Sequence, residues 1–286
     1  MNNFIKIASV IFFSYLIFLI IYFIGDTMEI KIGDYVTRIS HKHDMVFKVM
    51  DIIEDTCYLR GVNVRLCADS FIDDLVKIEY KESDDLDIVE RVKDSTSLDR
   101  DDYFYLPGKI LHIDGDKDYL ERCLRYYNNI NLMAMGICEE ENNVPLKIRE
   151  YLEEYNPNIL VITGHDAYYK KKGSIDDINS YKNSKNFVSA VKEARRFEKS
   201  HEKLIIIAGA CQSDYEELIR AGANFASSPK RINIHALDPA IIASHMSLSD
   251  INKDIDLKAI IGSTKYGKEG IGGIITKGTM YMGYPR

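Results

Sequence analysis

The chain lacks the cysteine patterns that mark metal sites and disulfide scaffolds. Its 286 residues contain five cysteines, with no C-x-x-C pair and no regular spacing, so neither a structural zinc nor a disulfide framework is predicted. The chain also lacks an excess of positive charge. Its formal net charge is −7, which gives no support to nucleic-acid binding. Free thiols of this kind are typical of a reducing cytoplasm.

A phosphate-binding loop is missing as well. The glycine-rich stretch at residues 267–278 contains GKEGIGG but not the GK[ST] ending that such a loop needs, so a flexible hairpin is predicted there. His41 and His43 lie in a polar turn, with no nearby cysteine or carboxylate pair at ligand spacing, and we expect both to be solvated. These motifs predict no cofactor and no metal.

The amino-terminal residues 1–27 allow two interpretations. Residues 7–24 form a run of 18 uncharged residues, just long enough to span a bilayer. No small-x-small cleavage site follows, which favours an uncleaved anchor over a secretory signal. Alternatively, the run is translated upstream sequence and Met28 is the true start. A membrane association is expected only in the first case.

Residues 28–80 predict a small β-barrel domain of the SH3 or KOW kind. Short alternating segments separated by Gly, Asp, Asn and Ser are typical of such barrels. The predicted strands are residues 34–39, 45–53, 57–62, 65–69 and 75–80. Residues 81–106 are strongly charged and predict an acidic linker.

From residue 107 to residue 286, strands and helices alternate with short loops. This order predicts an α/β domain with a parallel sheet and helices on both faces. The predicted strands are residues 109–113, 131–137, 159–163, 204–207, 224–226 and 258–262. The predicted helices are residues 117–127, 144–155, 184–199, 215–221 and 239–246.

Two strand ends of this domain carry groups that can do chemistry. The third strand ends in Gly164-His165 and the fourth in Gly209-Ala210-Cys211, and parallel strands deliver their carboxyl ends to one edge of the sheet. We therefore predict a dyad in which Cys211 is the nucleophile and His165 protonates the leaving amine.

Two groups of neighbouring residues complete the expected site. Backbone N–H groups near Cys211 and over Gly164 to Asp166 are expected to hold the oxyanion. The Asp166 side chain follows His165 directly in the sequence, so it is poorly placed to orient the ring. His112 and His235 do not follow the strand–glycine pattern and are interpreted as structural.

A strand ending in histidine, followed 211 − 165 = 46 residues later by one ending in Ala-Cys, resembles the caspase-like cysteine peptidases. Longer motifs resemble the YabG family of sporulation-specific peptidases over residues 29–286; they are IKIGDYVTR, LPGKILHIDGD, NILVITGHDAYY, NSYKNSK, AGACQS and ANFASSPKR. The resemblance implies a caspase-like catalytic domain at residues 107–286. It also implies a thiol protease of the mother-cell cytoplasm and spore coat, whose substrates are spore coat, cortex-associated and germination proteins. Exposed basic residues of the linker, namely Arg91, Lys93 and Arg100, are then expected sites of self-processing.

The resemblance also implies where substrate specificity resides. In caspase-like sheets the primary pocket (S1) lies between the ends of the first and fourth strands, where caspases place an arginine and a glutamine. Here Asp114 and Asp116 reverse the charge, and Gly209 leaves room for a long side chain, so cleavage after arginine is expected. Asp114 is preferred because it is closer to the strand. Asp116 could instead cap the helix that begins at Lys117.

Two other functions stay open at this point. Asp114 and Asp116, with His165 and Asp166, could hold a divalent metal in a metal-dependent hydrolase or a receiver-like switch, although Cys211 would then have no task. The chain could also be a non-catalytic spore-coat assembly protein, although the intact cysteine and histidine argue against it.

Overall fold

The structure is a computed structural model that describes residues 30–80 and 103–284. The chain divides into two compact units. The described residues of the smaller unit are 30–59 and 69–80, and those of the larger unit are 60–68 and 103–284. Residues 60–68 therefore belong to the larger unit, although strands of the smaller sheet flank them.

The smaller unit is built on a five-stranded sheet in the order β4-β3-β2-β1-β5. The strands are β1 (Tyr35–Arg38), β2 (Phe47–Ile53), β3 (Thr56–Gly61), β4 (Cys67–Phe71) and β5 (Leu75–Lys77). β1 pairs antiparallel with both β2 and β5, and Val36, Phe47 and Leu59 are buried. All five strands were predicted, whereas an SH3 or KOW barrel stays a prediction. β4 begins at Cys67 rather than at Arg65, because the backbone N–H of Arg65 donates to the Ile234 carbonyl of the larger unit.

The larger unit contains a six-stranded sheet in the order β12-β11-β10-β9-β7-β8. The strands are β7 (Ile110–Asp114), β8 (Ala134–Cys138), β9 (Ile159–Thr163), β10 (Ile205–Ala208), β11 (Phe225–Ser227) and β12 (Ile271–Gly273). All neighbours pair in parallel except β11 and β12. The predicted α/β class with a parallel sheet is therefore confirmed.

Helices cover both faces of this sheet. They are α1 (Lys117–Asn129), α2 (Val144–Tyr155), α3 (Ser184–Phe197), α4 (Tyr215–Ala221), α5 (Asp238–Leu248) and α6 (Leu257–Gly262). Ile205 and Ile207 of β10 pack in a cluster with residues of α1, α5 and α6. Ile206 packs on the opposite face with residues of α2, α3 and α4. Alternate residues of one strand thus enter two hydrophobic layers, which explains the unbroken apolar run.

Two sequence predictions about the chain's last third need correction. Residues 258–262 do not form a strand but lie in α6, because the Asp256 carboxylate accepts the Ala259 N–H at 3.0 Å and so caps a helix. The sixth strand is β12, inside the glycine-rich stretch where a flexible hairpin was predicted. A side chain at Gly273 would meet the Phe225 ring at 2.5 Å, so glycine permits the close pairing of β12 with β11.

A further pair of strands was not predicted. β6 (Phe104–Leu106) lies inside the predicted linker, and it pairs antiparallel with β13 (Tyr281–Gly283) near the carboxyl end. The pairing is long-range, so no local pattern indicates it. It brings the two ends of the larger unit's main segment side by side.

Two predictions concern residues outside the described parts of the chain. These are the apolar residues 7–24 and most of the acidic linker, with Arg91, Lys93 and Arg100. Over residues 30–80 and 103–284, no helix is both long and apolar enough to cross a membrane.

The correction at α6 can be tested through its cap. Asp256→Ala should lower the free energy of unfolding by about 1 kcal/mol, because the N–H of Ala259 loses its acceptor. Asp256→Asn should stay close to the parent, since asparagine caps helices well. Urea unfolding followed by circular dichroism measures both. Equal stability of the alanine and asparagine variants would contradict the helix assignment.

Candidate active site

Three ionisable side chains that could take part in catalysis lie at the carboxyl edge of the large sheet. β7 ends in Asp114, His165 follows β9 after Gly164, and Cys211 follows β10 after Gly209 and Ala210. β9 pairs in parallel with both β7 and β10, so all three residues leave the sheet at the same edge.

Cys211 is fully buried. Its Sγ accepts the backbone N–H of Ile234 at 3.3 Å and donates to the Ile234 carbonyl at 3.9 Å, which also accepts the Arg65 N–H at 3.4 Å. Burial outweighs the Ile234 N–H and raises the pKa of the Cys211 thiol to about 12. In this arrangement the thiol is therefore protonated at neutral pH.

His165 has partners of its own. Its Nε2 lies 3.0 Å from Oδ2 of Asp116, and both ring nitrogens lie 3.7 Å from Sγ of Cys67. Burial alone lowers the pKa of His165, but the hydrogen bonds with Asp116 and Cys67 raise it to about 9. Within the described part of the chain, no hydrogen bond joins His165 to Cys211, so the dyad stays a prediction.

Asp116 serves two elements at once. Its side chain accepts the N–H groups of Asp118 at 2.9 Å and Tyr119 at 3.2 Å, which confirms that it caps α1. The same carboxylate bonds to the His165 ring and pairs with Arg60. Sequence reasoning proposed the cap but missed the contact with His165, because 49 residues separate the two.

Asp114 already holds an arginine of its own chain. Asp114 and Arg65 are both fully buried, and Nη1 of Arg65 donates to Oδ2 of Asp114. Nη2 and Nε of Arg65 donate to the Ala236 carbonyl at 2.9 and 3.2 Å. Burial by itself raises the pKa of Asp114, but the Arg65 guanidinium holds it well below its usual range. The carboxylate that was predicted to receive a substrate arginine is thus paired with Arg65 of the same chain.

Comparison with known proteins places the chain in a family. The family model described as YabG peptidase U57 matches residues 31–100 and 87–285. The chain belongs to the YabG peptidase family. The sporulation-specific protease YabG of Bacillus subtilis (strain 168) is 40% identical to it over 286 residues, which is 90% of this chain and 99% of that protein. The predictions of a peptidase and of a function in sporulation are confirmed.

In this YabG-family chain, Gly209 has a structural reason of its own. Its φ of +103° lies in the left-handed region, and a side chain there would meet Leu218 at 2.8 Å, with Ser227 and Ser213 also within contact. Glycine is therefore needed for the bend after β10. The residues beside it are not those that hold Arg65, so its predicted part in the primary pocket has no contact to support it.

The residues predicted around the oxyanion have other contacts. The His165 N–H donates to Oε1 of Glu141 at 2.8 Å, and a side chain at Gly164 would meet the same oxygen at 2.5 Å. The Asp166 side chain accepts the hydroxyls of Ser184 at 2.5 Å and Ser213 at 2.9 Å. Asp166 thereby ties the loop after β9 to the starts of α3 and α4.

The other two histidines near the sheet, His112 and His235, make hydrogen bonds within the larger unit. His112 is buried, with Nδ1 at 3.0 Å from the Tyr127 hydroxyl and Nε2 at 3.1 Å from Thr163. His235 accepts the Leu237 N–H at 3.3 Å. Both contacts support the structural interpretation. Across residues 30–80 and 103–284, no group of three or more His, Cys, Asp or Glu is arranged to hold a metal ion.

The link between Asp116 and His165 can be tested by titration. Asp116→Asn keeps a helix cap but removes the negative charge, so the pKa of His165 should fall from about 9 toward the ordinary value of histidine, because burial is then opposed by Cys67 alone. Imidazole signals followed by NMR across the pH range measure it. Asp118→Asn is the matched control, since Asp118 is half-exposed and contacts Arg60.

The same shift predicts a pH dependence of stability. A raised pKa in the folded state adds stability below the ordinary pKa of histidine, and this stability is lost as the pH rises through about 9. The loss should be present in the parent and Asp118→Asn proteins and much smaller in Asp116→Asn. Titration of His165 near 9 in Asp116→Asn would show that another group raises its pKa.

Proposed function

We propose that this YabG-family peptidase is a cysteine endopeptidase that cuts after arginine, with Cys211 as nucleophile and His165 as general acid and base. One observation carries the proposal. An arginine guanidinium is bound to Asp114 at the sheet edge, and the backbone N–H of that arginine donates to the same Ile234 carbonyl as the Cys211 thiol. A side-chain pocket and a nucleophile thus serve a single arginine residue.

The chemistry follows from the residue types. The Cys211 sulfur attacks the carbonyl carbon, and His165 delivers a proton to the leaving nitrogen. Water then hydrolyses the thioester. Asp116 contributes as a positioning residue, because its carboxylate holds the ring and stabilises the imidazolium. Backbone N–H groups near Cys211 and over Gly164 to Asp166 are the proposed oxyanion donors.

Arginine specificity follows from the two acceptors in the pocket. The Asp114 carboxylate and the Ala236 carbonyl together receive three N–H groups of one guanidinium. Such a fork matches arginine, whereas a lysine ammonium is a point charge that cannot donate in both directions from the same position. Asp116 is the less suitable receptor, because it already contacts His165 and Arg60.

The biological substrates in this proposal are proteins of the spore coat, the cortex and the germination apparatus, cut in the mother-cell cytoplasm or at the spore coat. The relative from Bacillus subtilis is described as a sporulation-specific protease, which supports proteins as substrates and sporulation as the setting. The caspase-like character of the catalytic domain belongs to the same proposal. It is supported by the parallel sheet and by the order of His165 and Cys211 on it.

Removal of the nucleophile is the first test. Cys211→Ala should abolish cleavage of an arginine peptide, and His165→Ala should lower it by several orders of magnitude. Cys138→Ala is the matched control, because Cys138 is an exposed thiol at the end of β8 and should leave activity unchanged. Retained activity in Cys211→Ala, or loss of activity to a chelator alone, would exclude this mechanism.

The pocket is tested with substrates alone, which avoids disturbing a buried charge. Fluorogenic peptides should differ only at the residue before the cut, which is arginine, lysine or citrulline. Arginine should exceed lysine by about tenfold in kcat/KM. Citrulline has nearly the shape of arginine but no charge, and it should be cleaved least. Preference for aspartate or an apolar residue would remove the assignment of Asp114 while leaving the dyad intact.

A further inference from the structure

A buried carboxylate connects the two loops that carry the proposed catalytic residues. Asp166 directly follows His165 in the chain, and it is only 4% exposed. Its Oδ1 accepts the backbone N–H of Asn183 at 2.7 Å. Its Oδ2 accepts the hydroxyls of Ser184 at 2.5 Å and Ser213 at 2.9 Å. A carboxylate without water needs donors of this kind.

Each of these two serine hydroxyls has a second partner in the loop of the proposed nucleophile. Oγ of Ser213 accepts the backbone N–H of Ala210 at 2.9 Å, and Oγ of Ser184 accepts that of Asp214 at 2.8 Å. Ala210 directly precedes Cys211, and Asp214 follows it by three residues. The buried carboxylate is therefore connected, through one hydroxyl on each side, to both flanks of Cys211.

The side chains of Asp166, Ser184 and Ser213 are here named the Asp166 clamp. All three are buried. They come from three of the motifs by which the chain resembles its family, namely NILVITGHDAYY, NSYKNSK and AGACQS. Asp166 and Ser213 are 47 residues apart. The three motifs therefore meet at one carboxylate, which their spacing in the sequence does not show.

Further hydrogen bonds hold the His165 side of the clamp. Nδ2 of Asn183 donates to the His165 carbonyl at 2.8 Å, and Ser184 is the first residue of α3. The Tyr168 N–H donates to Oε1 of Gln212 at 3.2 Å, which joins the two loops a second time. The loop after β9 and the loop after β10 are thus fixed relative to one another by hydrogen bonds to backbone groups.

The contacts of the Asp166 clamp differ in kind from those of Asp116. Asp116 bonds to the imidazole ring of His165 and so acts on the charge of the ring. The clamp instead holds backbone N–H groups in a place where an unsatisfied carboxylate would be costly. A buried charge next to the proposed general acid thus fixes the backbone next to the proposed nucleophile.

We propose that Asp166, Ser184 and Ser213 are positioning residues, which hold the loop of Cys211 at the distance from His165 that peptide-bond cleavage needs. The inference rests on the proposed cysteine peptidase function. Within residues 30–80 and 103–284, no hydrogen bond joins the Cys211 and His165 side chains. The two side chains must therefore approach each other during the reaction, and the backbone from which they extend has to stay fixed. A misplacement of about 1 Å can lower a rate about 100-fold.

The experiment measures kcat and KM separately in variants of the full chain. Ser213→Ala removes one donor from the carboxylate and the acceptor of the Ala210 N–H. With a fluorogenic arginine peptide, kcat should fall about 100-fold. KM should stay near that of the parent, because Asp114, the proposed receptor for arginine, is not part of the clamp. Ser184→Ala should act in the same way from the other flank.

Ser247→Ala is the matched control for the loss of a buried hydroxyl. Ser247 is buried in α5, and its hydroxyl donates to the Gly108 carbonyl at 2.7 Å. This variant should lose a similar amount of stability but keep the kcat of the parent. Thermal unfolding of each variant confirms the fold and allows the losses of stability to be compared.

Asp166→Asn tests the carboxylate itself with little change of shape. An amide nitrogen in place of Oδ2 cannot accept the two hydroxyls, so kcat should fall in this variant as well. Asp166→Asn and Ser213→Ala disturb the same hydrogen bond. The double variant should therefore be about as active as the less active single variant.

The outcomes separate this inference from the function on which it rests. A parent-like kcat in folded Ser213→Ala and Asp166→Asn, with Cys211→Ala inactive, would overturn the inference and keep the proposed function. An equal fall of kcat in Ser247→Ala would also overturn it, because lost stability would then explain the effect, and so would fully multiplicative effects in the double variant. Cleavage that persists in Cys211→Ala would instead overturn the proposed function, and the inference with it.

Discussion

The carboxylate of Asp114 has no access to water, so its charge must be balanced inside the protein. Arg65 supplies the opposite charge, the Thr163 hydroxyl donates at 2.8 Å, and the Asp116 N–H donates at 2.9 Å. Removing one partner of a buried ion pair costs about 3–5 kcal/mol, because the other charge stays buried with neither a counter-charge nor water around it. The ends of β7 and β9 and the residues between β3 and β4 therefore depend on one another through a single carboxylate.

Asp114 and Asp116 show how two acidic residues, two positions apart, acquire different tasks. Asp114 is the last residue of β7 and is fully buried, and the Arg65 guanidinium balances its charge. Asp116 lies past the strand end, where it meets the free N–H groups of α1 and the ring of His165. Both pKa values fall, but a guanidinium opposes burial in the first case, and mainly an imidazole does so in the second.

Local patterns predicted the parallel sheet of the larger unit well, because its strands are buried on both faces and its helices carry clear ends. The bounds of β9, α2 and α4 agree with the prediction to the residue. The prediction of a strand at residues 258–262 was wrong. A short apolar run fits a strand and a helix equally well, and the cap by Asp256 favours the helix. β12 was missed because its glycines carry no hydrophobic pattern.

The surroundings of the site were less predictable than the residues themselves. His165, Cys211 and Asp114 are predicted site residues because each lies at the end of an apolar strand. Arg65 was read as a barrel strand residue, since alternation continues through it, and nothing nearby in the sequence indicates a partner 49 residues away. The contact of Cys67 with His165 spans 98 residues. Such contacts arise from chain topology, which short-range patterns do not encode.

The pairing of β6 with β13 has a consequence for protein engineering. Phe104 lies opposite Gly283, so a linker of a few small residues could join the two positions. The main segment of the larger unit is then suited to circular permutation, with new ends opened in an exposed loop such as residues 170–175. Residues 60–68 are not part of that segment, so the Arg65 partner of Asp114 would then lie on a separate polypeptide that can be added or withheld.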